Sequence, residues 1–346
     1  MIARYVPDER QKLHLRDARS LGTTPVASAT VARGSYLLTL TATGRADVRY
    51  PVLLKRGERL RVSVAMPKAS AIPRGFVFIP AGRFLFGSTA DKLTRRQFLD
   101  TVPAHEVTTG AYLIAQRETT YGEWIEYLRA LPPGERARRA VKLGSTGLSG
   151  SLELTELPDG GWRLTIQPTA QEYSARAGEK ITYQGRQRRA AQDWLRMPVG
   201  GLSAEDVSAY AAWLSATGRV PGARLCTEHE WERAARGADE REFPSGGDLL
   251  EPDDANIDET YGRVASAFGP DEVGSYPATR SPFGLDDMAG NIIEWARSSL
   301  VENQMVVRGG AYYFGQLTAR STNRTSLDAS LHDVKFGARI CASIDE

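Results

Sequence analysis

The sequence predicts an α+β fold in which a small all-β region precedes a larger region with little regular secondary structure. Apolar and polar residues alternate at period two in several short runs before residue 68. Apolar residues recur at three- and four-residue steps, the spacing of a helix, at three places after residue 76. Residues 277–346 contain many turn-forming residues and only short apolar runs. At 346 residues the chain is long enough for two domains.

The composition is that of an ordinary globular protein, with 41% apolar and 25% charged residues. Lys and Arg number 44 and Asp and Glu number 42, and we interpret the charge as mixed rather than polarised, so we expect no nucleic-acid partner. No run approaches the roughly 20 apolar residues that a membrane helix needs, and the first residues do not resemble a signal peptide. We therefore expect no membrane insertion and a soluble, cytoplasmic protein.

The chain has two cysteines, Cys226 and Cys341, which are too few for a disulfide scaffold. Neither lies in a CxxC or Cys/His pattern that is typical of zinc sites. We expect both to be buried as small apolar side chains. A bridge between them is the less favoured alternative.

The first region, residues 1–67, is predicted to consist of strands. Three runs in it alternate apolar and polar side chains: residues 35–41, 49–54 and 59–64. Gly44 lies between the first two runs, where a tight turn suits a residue without a Cβ. Residues 68–75, which include Pro73, form a predicted linker to the second region.

These strands resemble the small β-sandwich domains of the PEGA type. The resemblance is carried by residues 21–25, which read Leu-Gly-Thr-Thr-Pro, and by residues 34–36, which read Gly-Ser-Tyr. PEGA domains usually begin with another strand before the position of residues 3–5. The resemblance therefore implies a truncated β-sandwich, and we expect the chain to be the tail of a longer protein.

Three amphipathic helices are predicted in the second region: residues 120–131, residues 203–216, and a helix that begins after residues 227–230. Ser203 and Asp206 form the capping box of the second helix. Between the first two helices, residues 133–195 have the character of an insertion. Two alternating runs in it flank Pro158-Asp159-Gly160, which predicts a two-stranded β-hairpin.

Five sequence blocks occur in the order found in the formylglycine-generating enzyme family, also called the sulfatase-modifying factor family. The blocks are residues 78–88, residues 198–199 with 203–206, residues 224–232, residues 284–295 and residues 307–312. Residues 76–346 therefore resemble this family. The resemblance implies a variant of the C-type lectin fold, in which ordered loops outnumber regular elements.

The resemblance also implies structural calcium, because hard cations collect the oxygens of buried irregular backbone. The implied ligands of a first site are the side chains of Asp287, Glu294 and Glu118 and the carbonyl oxygens of Gly290 and Ile292. A second site would use Asn256 with the carbonyl oxygen of Ile257. For Glu294 the alternative is a carboxylate that caps backbone amides without any metal.

The chain departs from the family where the oxidase chemistry takes place. In the oxidase branch, two cysteines five positions apart follow a Gly-Gly-Ser-Trp/Tyr block and bind copper(I) as thiolates. The matching segment here, residues 309–320, contains no cysteine. The resemblance therefore implies a non-catalytic branch, with no catalytic residues and no copper.

The same segment lies, by the resemblance, on the face where lectin-like relatives hold their ligands. Aromatic, arginine and amide side chains suit a binding surface. The predicted ligand-binding residues are Tyr312, Tyr313, Phe314, Gln316, Arg320, Asn323, Arg324 and His332. The alternative for Tyr312 and Phe314 is a place in the core, because half of the side chains of a strand point inward.

These features predict a recognition or regulatory module. A PEGA-like region followed by this kind of domain resembles the C-terminal regions of bacterial Ser/Thr kinases. We expect a protein or peptide ligand, and a carbohydrate ranks second. Two alternatives stay open: an oxidoreductase of the same family with a remodelled, cysteine-free pocket, and a structural scaffold.

Overall fold

Five short α-helices lie in the part of the chain that the computed structural model describes, residues 1–96, 100–145 and 150–344. They are α1 (Lys92–Arg96), α2 (Tyr121–Ala130), α3 (Pro133–Arg139), α4 (Ala204–Ala216) and α5 (Glu228–Arg236). The capping boxes of α2, α4 and α5 pair Thr120 with Glu123, Ser203 with Asp206, and Thr227 with Glu230. The three helices predicted from the sequence are thereby confirmed. None of the described helices has the length and apolar character to cross a membrane.

The N-terminal strands form one antiparallel sheet in the order β2-β1-β3-β4. They are β1 (Ile2–Pro7), β2 (Leu13–Arg19), β3 (Gly34–Leu40) and β4 (Val48–Leu54). The sequence did not predict β1 and β2, and the strand predicted at residues 59–64 is wrong. Leu60, Val62 and Val64 do pack on the sheet, so their alternation reflects burial without strand pairing. Residues 1–67 contain this single sheet, and the PEGA-like sandwich stays a prediction.

One face of this sheet packs on the larger region through polar contacts. Arg49 Nε donates to the carbonyl oxygen of Pro282 at 2.6 Å, and Ser35 Oγ donates to Asp239 at 2.5 Å. The guanidinium of Arg241 lies 4.5 Å from the ring centre of Tyr5. Arg241 is itself paired with Asp239 at 2.7 Å, and both residues are buried. The sheet is therefore fixed against the rest of the chain.

Sixteen short strands of the larger region, within the described residues, build three four-stranded sheets and two strand pairs. The strands are β5 (Phe76–Ile79), β6 (Gly82–Phe86), β7 (His105–Thr109), β8 (Tyr112–Ala115), β9 (Lys142–Leu143), β10 (Ser151–Glu156), β11 (Trp162–Gln167), β12 (Tyr173–Arg176), β13 (Lys180–Thr182), β14 (Ala191–Asp193), β15 (Ala223–Leu225), β16 (Ile293–Arg297), β17 (Met305–Arg308), β18 (Thr325–Leu327), β19 (Phe336–Gly337) and β20 (Ile340–Ala342). The sheet orders are β15-β20-β8-β5, β18-β17-β16-β19 and β12-β11-β10-β9, and the pairs are β6-β7 and β13-β14. The chain is thus an α+β protein.

Residues between α2 and α4 form a sheet of their own. β10 and β11 pair antiparallel on either side of the Pro158-Asp159-Gly160 turn, with Leu154 opposite Leu164. β9 and β12 extend this hairpin on both sides, so it is a four-stranded sheet rather than the two-stranded ribbon that we predicted. Alternate residues of β10 and β11 are buried against the main core. This burial stabilises the sheet, because a two-stranded ribbon alone would have no core to pack against.

Cys226 and Cys341 form a disulfide, which corrects the expectation of two unpaired thiols. β15 and β20 are adjacent antiparallel strands, and Arg224 lies opposite Cys341 in their register. The Cα atoms of the two cysteines are 4.9 Å apart, within the range of a bridge. Because 115 residues separate them, spacing in the sequence gave no sign of this contact.

Candidate functional site

The segment after β17 turns sharply before it reaches the surface. Gly309 and Gly310 have φ angles of 92° and 72°, in the left-handed region that favours glycine. A Cβ on Gly310 would lie 2.9 Å from the backbone of Ala319, so a larger residue would not fit. Ala319 is completely buried in a small apolar cluster. This turn carries residues 313–317 to the surface beside two other loops.

Three loops meet there and form a surface that we call the loop face: Leu249, Phe268, Tyr313, Phe314, Gln316 and Leu317. Gln316 Oε1 accepts a hydrogen bond from the N–H of Leu250 at 3.0 Å. The N–H of Asp258 donates to the carbonyl oxygen of Phe314 at 3.1 Å. These two bonds tie the segment after β17 to the loop that contains Leu249, and the contact between the rings of Phe268 and Tyr313 links it to the other loop.

The loop face presents apolar and aromatic atoms to solvent. Leu249 is 65% exposed and Leu317 is 40% exposed. The half-buried ring of Tyr313 lies 5.5 Å from the ring of Phe268 and 5.6 Å from that of Phe314. Contacts of this kind hold aromatic side chains in place while leaving part of each ring accessible. The surface is thus ordered and partly apolar.

The other predicted binding residues do not join the loop face. Arg324 is buried and paired with Glu228, with Nε 2.6 Å from Oε2. Asn323 Nδ2 donates to the carbonyl oxygen of Thr318 at 2.9 Å. Arg320 Nε lies 3.6 Å from a carboxylate oxygen of Glu242, and His332 Nε2 lies 2.8 Å from Asp206 at the start of α4. The predicted set is therefore divided between the surface and the interior.

Tyr312 lies beneath the loop face, in a small cleft. It is 3% exposed, and burial raises the pKa of its hydroxyl well above the ordinary value. Tyr121, Pro198 and Ile292 line the same cleft, which has room for about one water molecule. The alternative of a core position for Tyr312 is the correct one, whereas Phe314 is half-buried.

A group of buried charges, which we call the arginine cluster, lies between α5 and β17: Glu228, Glu232, Arg236, Arg308 and Arg324. Residues four apart on a helix share a face, so α5 presents the first three together. Glu232 accepts from Arg308 Nη2 at 2.5 Å and from Arg236 Nη1 at 3.0 Å. Burial raises the pKa of Glu228, but the hydrogen bond from Arg324 and the charge of Arg308 outweigh it, so this pKa lies below its ordinary value.

A second buried group, the carboxylate cluster, contains Glu118, Asp287, Glu294 and Arg339. Arg339 Nη2 lies 2.8 Å from Glu294 Oε1, and its Nε lies 3.0 Å from both carboxylate oxygens. The indole of Trp231 donates to Glu294 at 2.5 Å. Glu294, on β16, is therefore paired with a guanidinium, which differs from both the calcium ligand and the amide cap that the sequence suggested.

Glu118 is less well satisfied than Asp287, whose Oδ2 accepts from the N–H of Gly274 at 2.5 Å. Glu118 Oε2 accepts from Asn291 Nδ2 at 3.0 Å, but Oε1 is buried without a hydrogen-bond partner. Burial, together with the charges of Asp287 and Glu294, raises the pKa of Glu118 well above its ordinary value. Burial raises the pKa of Asp287 to about 7. The cluster thus contains three carboxyl groups and one guanidinium, which pairs with Glu294.

The geometry fits a cation at Glu118 and Asp287 better than at the second implied site. An orphaned carboxylate oxygen and two raised pKa values are what added positive charge would relieve. Within residues 1–96, 100–145 and 150–344, however, no three His, Cys, Asp or Glu side chains form a metal-holding group. Any cation there would depend on backbone carbonyl oxygens, such as those implied for Gly290 and Ile292.

At the second implied site the oxygens already have partners. The carbonyl oxygen of Asn256 accepts from the N–H of Asn291 at 2.7 Å, and that of Ile257 accepts from Thr260 at 3.1 Å. Nearby, the buried guanidinium of Arg186 donates to the carbonyl oxygen of Gly269 at 2.6 Å. Asn256 Nδ2 donates to the same carbonyl oxygen at 2.9 Å. The residues present do not fit a calcium ion there, because a guanidinium already lies beside the Asn256 side chain.

The family of proteins with a sulfatase-modifying factor enzyme 1-like domain matches residues 62–344. This match covers well over half of the 346 residues. The chain belongs to the sulfatase-modifying factor enzyme 1-like family. The matched range begins inside the first region, before residue 76, where the sequence resemblance began.

Curated relatives of this sulfatase-modifying factor enzyme 1-like chain have different names. Serine/threonine-protein kinase pkn1 of Chlamydia caviae is 28% identical over 251 residues, which is 72% of this chain and 31% of that protein. Hercynine oxygenase of Mycobacterium tuberculosis is 31% identical over 206 residues, 57% of this chain and 40% of that protein. Inactive C-alpha-formylglycine-generating enzyme 2 of Mus musculus is 26% identical over 251 residues, 68% of this chain and 73% of that protein. The chain thus spans less than half of the first two.

Among solved structures, PvdO from Pseudomonas aeruginosa resembles the chain with a TM-score of 0.55 at 25% sequence identity. The likeness covers 78% of this chain and 94% of PvdO. The fold of the sulfatase-modifying factor enzyme 1-like domain is therefore shared with a separately solved protein.

Sequence reasoning missed several residues of this domain that the site uses. Leu249 and Phe268 come from loops far from residues 312–317 in the sequence, and no local pattern connects them. Leu317 lies inside the predicted segment, and it is an exposed apolar residue between two polar ones. The polar neighbours could have indicated that its side chain is at the surface. The pairing of Arg339 with Glu294, 45 residues earlier, was not predicted either.

Proposed function

We propose that the chain is a non-catalytic binding module whose protein or peptide ligand docks on the loop face. The observation that carries this proposal is an ordered surface where partly exposed aromatic and aliphatic side chains from three loops lie together. Such side chains supply most of the binding energy in protein interfaces, because they bury a large area with few rotatable bonds. A carbohydrate is the second candidate.

The cysteine chemistry of the chain supports a non-catalytic role. The chain contains two cysteines in all, and Cys226 and Cys341 are joined to each other and completely buried. A disulfide offers no thiolate for copper(I). Residues 309–320, the segment after β17, contain no cysteine. One similar protein also carries the word inactive in its name.

Photo-crosslinking tests the loop face as a docking site. Placing benzoylphenylalanine at Tyr313 in the full chain should capture a defined partner, identified by mass spectrometry. The matched control places the same group at Val301, which is 52% exposed and lies outside the loop face. We expect the partner from position 313 alone, and we expect Leu317→Asp to reduce its affinity at least tenfold. The same partner from both positions would refute the proposal.

An oxidoreductase is the second candidate function. The name hercynine oxygenase among the relatives favours it, as does the pair of tyrosines, Tyr121 and Tyr312, at the small cleft. Metal analysis of the purified chain separates the two candidates. Stoichiometric copper or iron would favour oxidoreductase chemistry. Calcium alone or no metal would favour the binding module.

We also propose a structural calcium ion at Glu118 and Asp287, with carbonyl oxygens as its other ligands. The support is the excess of buried carboxylate there and the unpartnered oxygen of Glu118. Glu294 is not one of the proposed calcium ligands. Both of its carboxylate oxygens accept hydrogen bonds from the guanidinium of Arg339, which makes it a poor ligand.

The similarity to pkn1 supports a place within a bacterial signalling protein, since the chain covers only a third of that kinase's length. Deleting residues 76–346 from such a parent should abolish its signalling at unchanged abundance. Loss of abundance instead would favour the scaffold alternative. A cytoplasmic location stays a prediction, and the disulfide favours an oxidising compartment instead.

A further inference from the structure

Charge is distributed unevenly between the two regions of the chain. Residues 1–68 contain 13 Lys and Arg against 5 Asp and Glu, a net charge of +8. The remaining 278 residues contain 31 against 37, a net charge of −6. The expectation of evenly mixed charge is therefore wrong. The near-zero total results from two opposite contributions, and such asymmetry is typical of a region with an anionic partner.

Most of the basic residues of the first region are exposed and have no acidic partner. Arg4, Arg16, Arg33, Arg56, Arg59 and Arg61 are exposed, and none forms a salt bridge with a carboxylate of the described residues. In the larger region, by contrast, exposed cations such as Arg138 and Arg219 are paired with Glu135 and Glu126. Unpaired arginines keep their full charge available to a partner.

The outer side of the N-terminal sheet carries five of these arginines, including Arg33, whose carbonyl oxygen accepts from the guanidinium of Arg4. Leu60 and Val62 point inward onto the sheet, so Arg59 and Arg61, which alternate with them, point outward. On the neighbouring strands, Arg4 lies directly opposite Arg16. Like charges opposite each other in a ladder destabilise a sheet, so folding alone does not account for this pair.

The inner side makes the polar contacts to the larger region. Ser35 and Arg49 bind Asp239 and Pro282 there, and Tyr5 contacts Arg241. The outer side meets the larger region at its β4 edge, where Val48 joins the main core. Residues 55–66 and residues 20–32 pack on the rest of this side, the latter through Leu21 and Val31.

Residues 20–32 form an uncharged strip between arginines. This stretch contains no Asp, Glu, Lys or Arg, and Arg19 and Arg33 flank it. Nearly all of it is exposed, and Val26 is 38% exposed. A strip that lacks charge can approach the boundary between headgroups and acyl chains while the arginines around it remain in contact with phosphates.

We propose that this outer side, the arginine surface of Arg4, Arg16, Arg33, Arg59 and Arg61, docks on an anionic phospholipid bilayer. Guanidinium groups bind phosphate oxygens through two hydrogen bonds, and five of them on one side match a flat surface of headgroups. Nucleic acid fits less well, because the three tyrosines of this region are buried and leave no aromatic ring for base stacking.

Vesicle cosedimentation with the full chain tests the proposal. Vesicles of equal parts phosphatidylcholine and phosphatidylglycerol should bind the chain at low salt, and binding should weaken steeply as sodium chloride screens the charges. The triple variant Arg16→Gln, Arg59→Gln and Arg61→Gln should bind about a hundredfold more weakly, at about fivefold for each arginine. Val26→Asp should weaken binding independently of the arginines.

The matched control removes three exposed basic residues from the larger region: Arg138→Gln, Lys142→Gln and Arg219→Gln. It carries the same change in net charge and should bind vesicles like the wild type. Thermal unfolding checks that both triple variants fold. The proposal would be overturned if the chain bound pure phosphatidylcholine vesicles as well as the anionic ones, or if both triple variants lost the same amount of binding. It would also be overturned if the chain bound duplex DNA or a polyglutamate peptide more tightly than the anionic vesicles.

Discussion

The arginine cluster and the carboxylate cluster are both buried groups of charges, but their balance is opposite. In the arginine cluster, three guanidinium groups surround Glu228 and Glu232, and the pKa of Glu228 lies below its ordinary value. The carboxylate cluster contains three carboxyl groups and one guanidinium, and the pKa of Asp287 is raised to about 7. Buried guanidinium groups stay charged, whereas buried carboxyl groups can take up a proton.

This difference assigns separate roles to the two clusters. The arginine cluster joins α5, β17 and the segment around residue 324, and the pKa of its Glu228 lies below the ordinary value. The carboxylate cluster has a charge state that a proton or a cation can change. We therefore expect the first to contribute stability under all mild conditions and the second to make stability depend on pH and calcium.

The largest effect should come from breaking the arginine cluster. Glu232→Gln leaves Arg236 and Arg308 without their shared carboxylate in the interior. We expect it to lower the free energy of unfolding by up to about 5 kcal/mol, measured by urea denaturation. The control Glu135→Gln, at the exposed pair with Arg138, should change it little. Equal effects of the two variants would contradict the description of the cluster as a buried network.

The pH dependence of stability should come next in size. Because the folded-state pKa of Asp287 is raised above the unfolded value near 4, the folded state binds more protons between these values, and stability falls as pH rises. Without calcium, the free energy of unfolding should drop by on the order of 4 kcal/mol between about pH 4 and about pH 7. Asp287→Asn should reduce this slope, and the remainder should come from Glu118, whose pKa burial also raises. A slope of unchanged size in the variant would place its origin elsewhere.

Calcium should produce a smaller effect at the same cluster. At a free concentration about 100 times its dissociation constant, calcium should stabilise the wild type by about 2.7 kcal/mol. Glu118→Gln removes one proposed ligand charge and should abolish this gain, while raising the stability of the calcium-free chain by relieving repulsion. Thermal unfolding with calcium and with chelator measures both. If calcium did not change the unfolding temperature of the wild type, the proposed calcium site would be refuted.

Local features of the sequence were predictable, and contacts between distant segments were not. The helices carry their own signals, such as Thr120 and Glu123, three residues apart in a capping box. The strand β1 has no such signal, since Arg4 and Val6 point the same way and obscure its alternation. Membership of the family followed from ordered sequence blocks, which are also local.

The candidate site depended on distant contacts. Arg324 was predicted at the surface because its segment resembles the ligand-binding face of the family, yet Glu228, 96 residues earlier, holds it in the interior. The disulfide and the Arg339–Glu294 pair likewise join segments that no spacing rule connects. The loop face was half predicted, because Tyr313 and Phe314 lie in one segment whereas Phe268 and Leu249 come from two others.

The smallest predicted effect concerns salt, and it tests whether the arginine cluster is as dry as its burial indicates. Dissolved ions screen charges that water reaches and hardly affect pairs in the interior. The destabilisation by Glu232→Gln should therefore differ by less than about 0.5 kcal/mol between low and high sodium chloride. The exposed Arg219–Glu126 pair is the matched comparison, since its coupling in a double-mutant cycle should disappear in high salt.

If the effect of Glu232→Gln shrank in parallel with that coupling, water and ions would reach the arginine cluster. The contrast with the carboxylate cluster would then reflect access to solvent rather than the balance of charge.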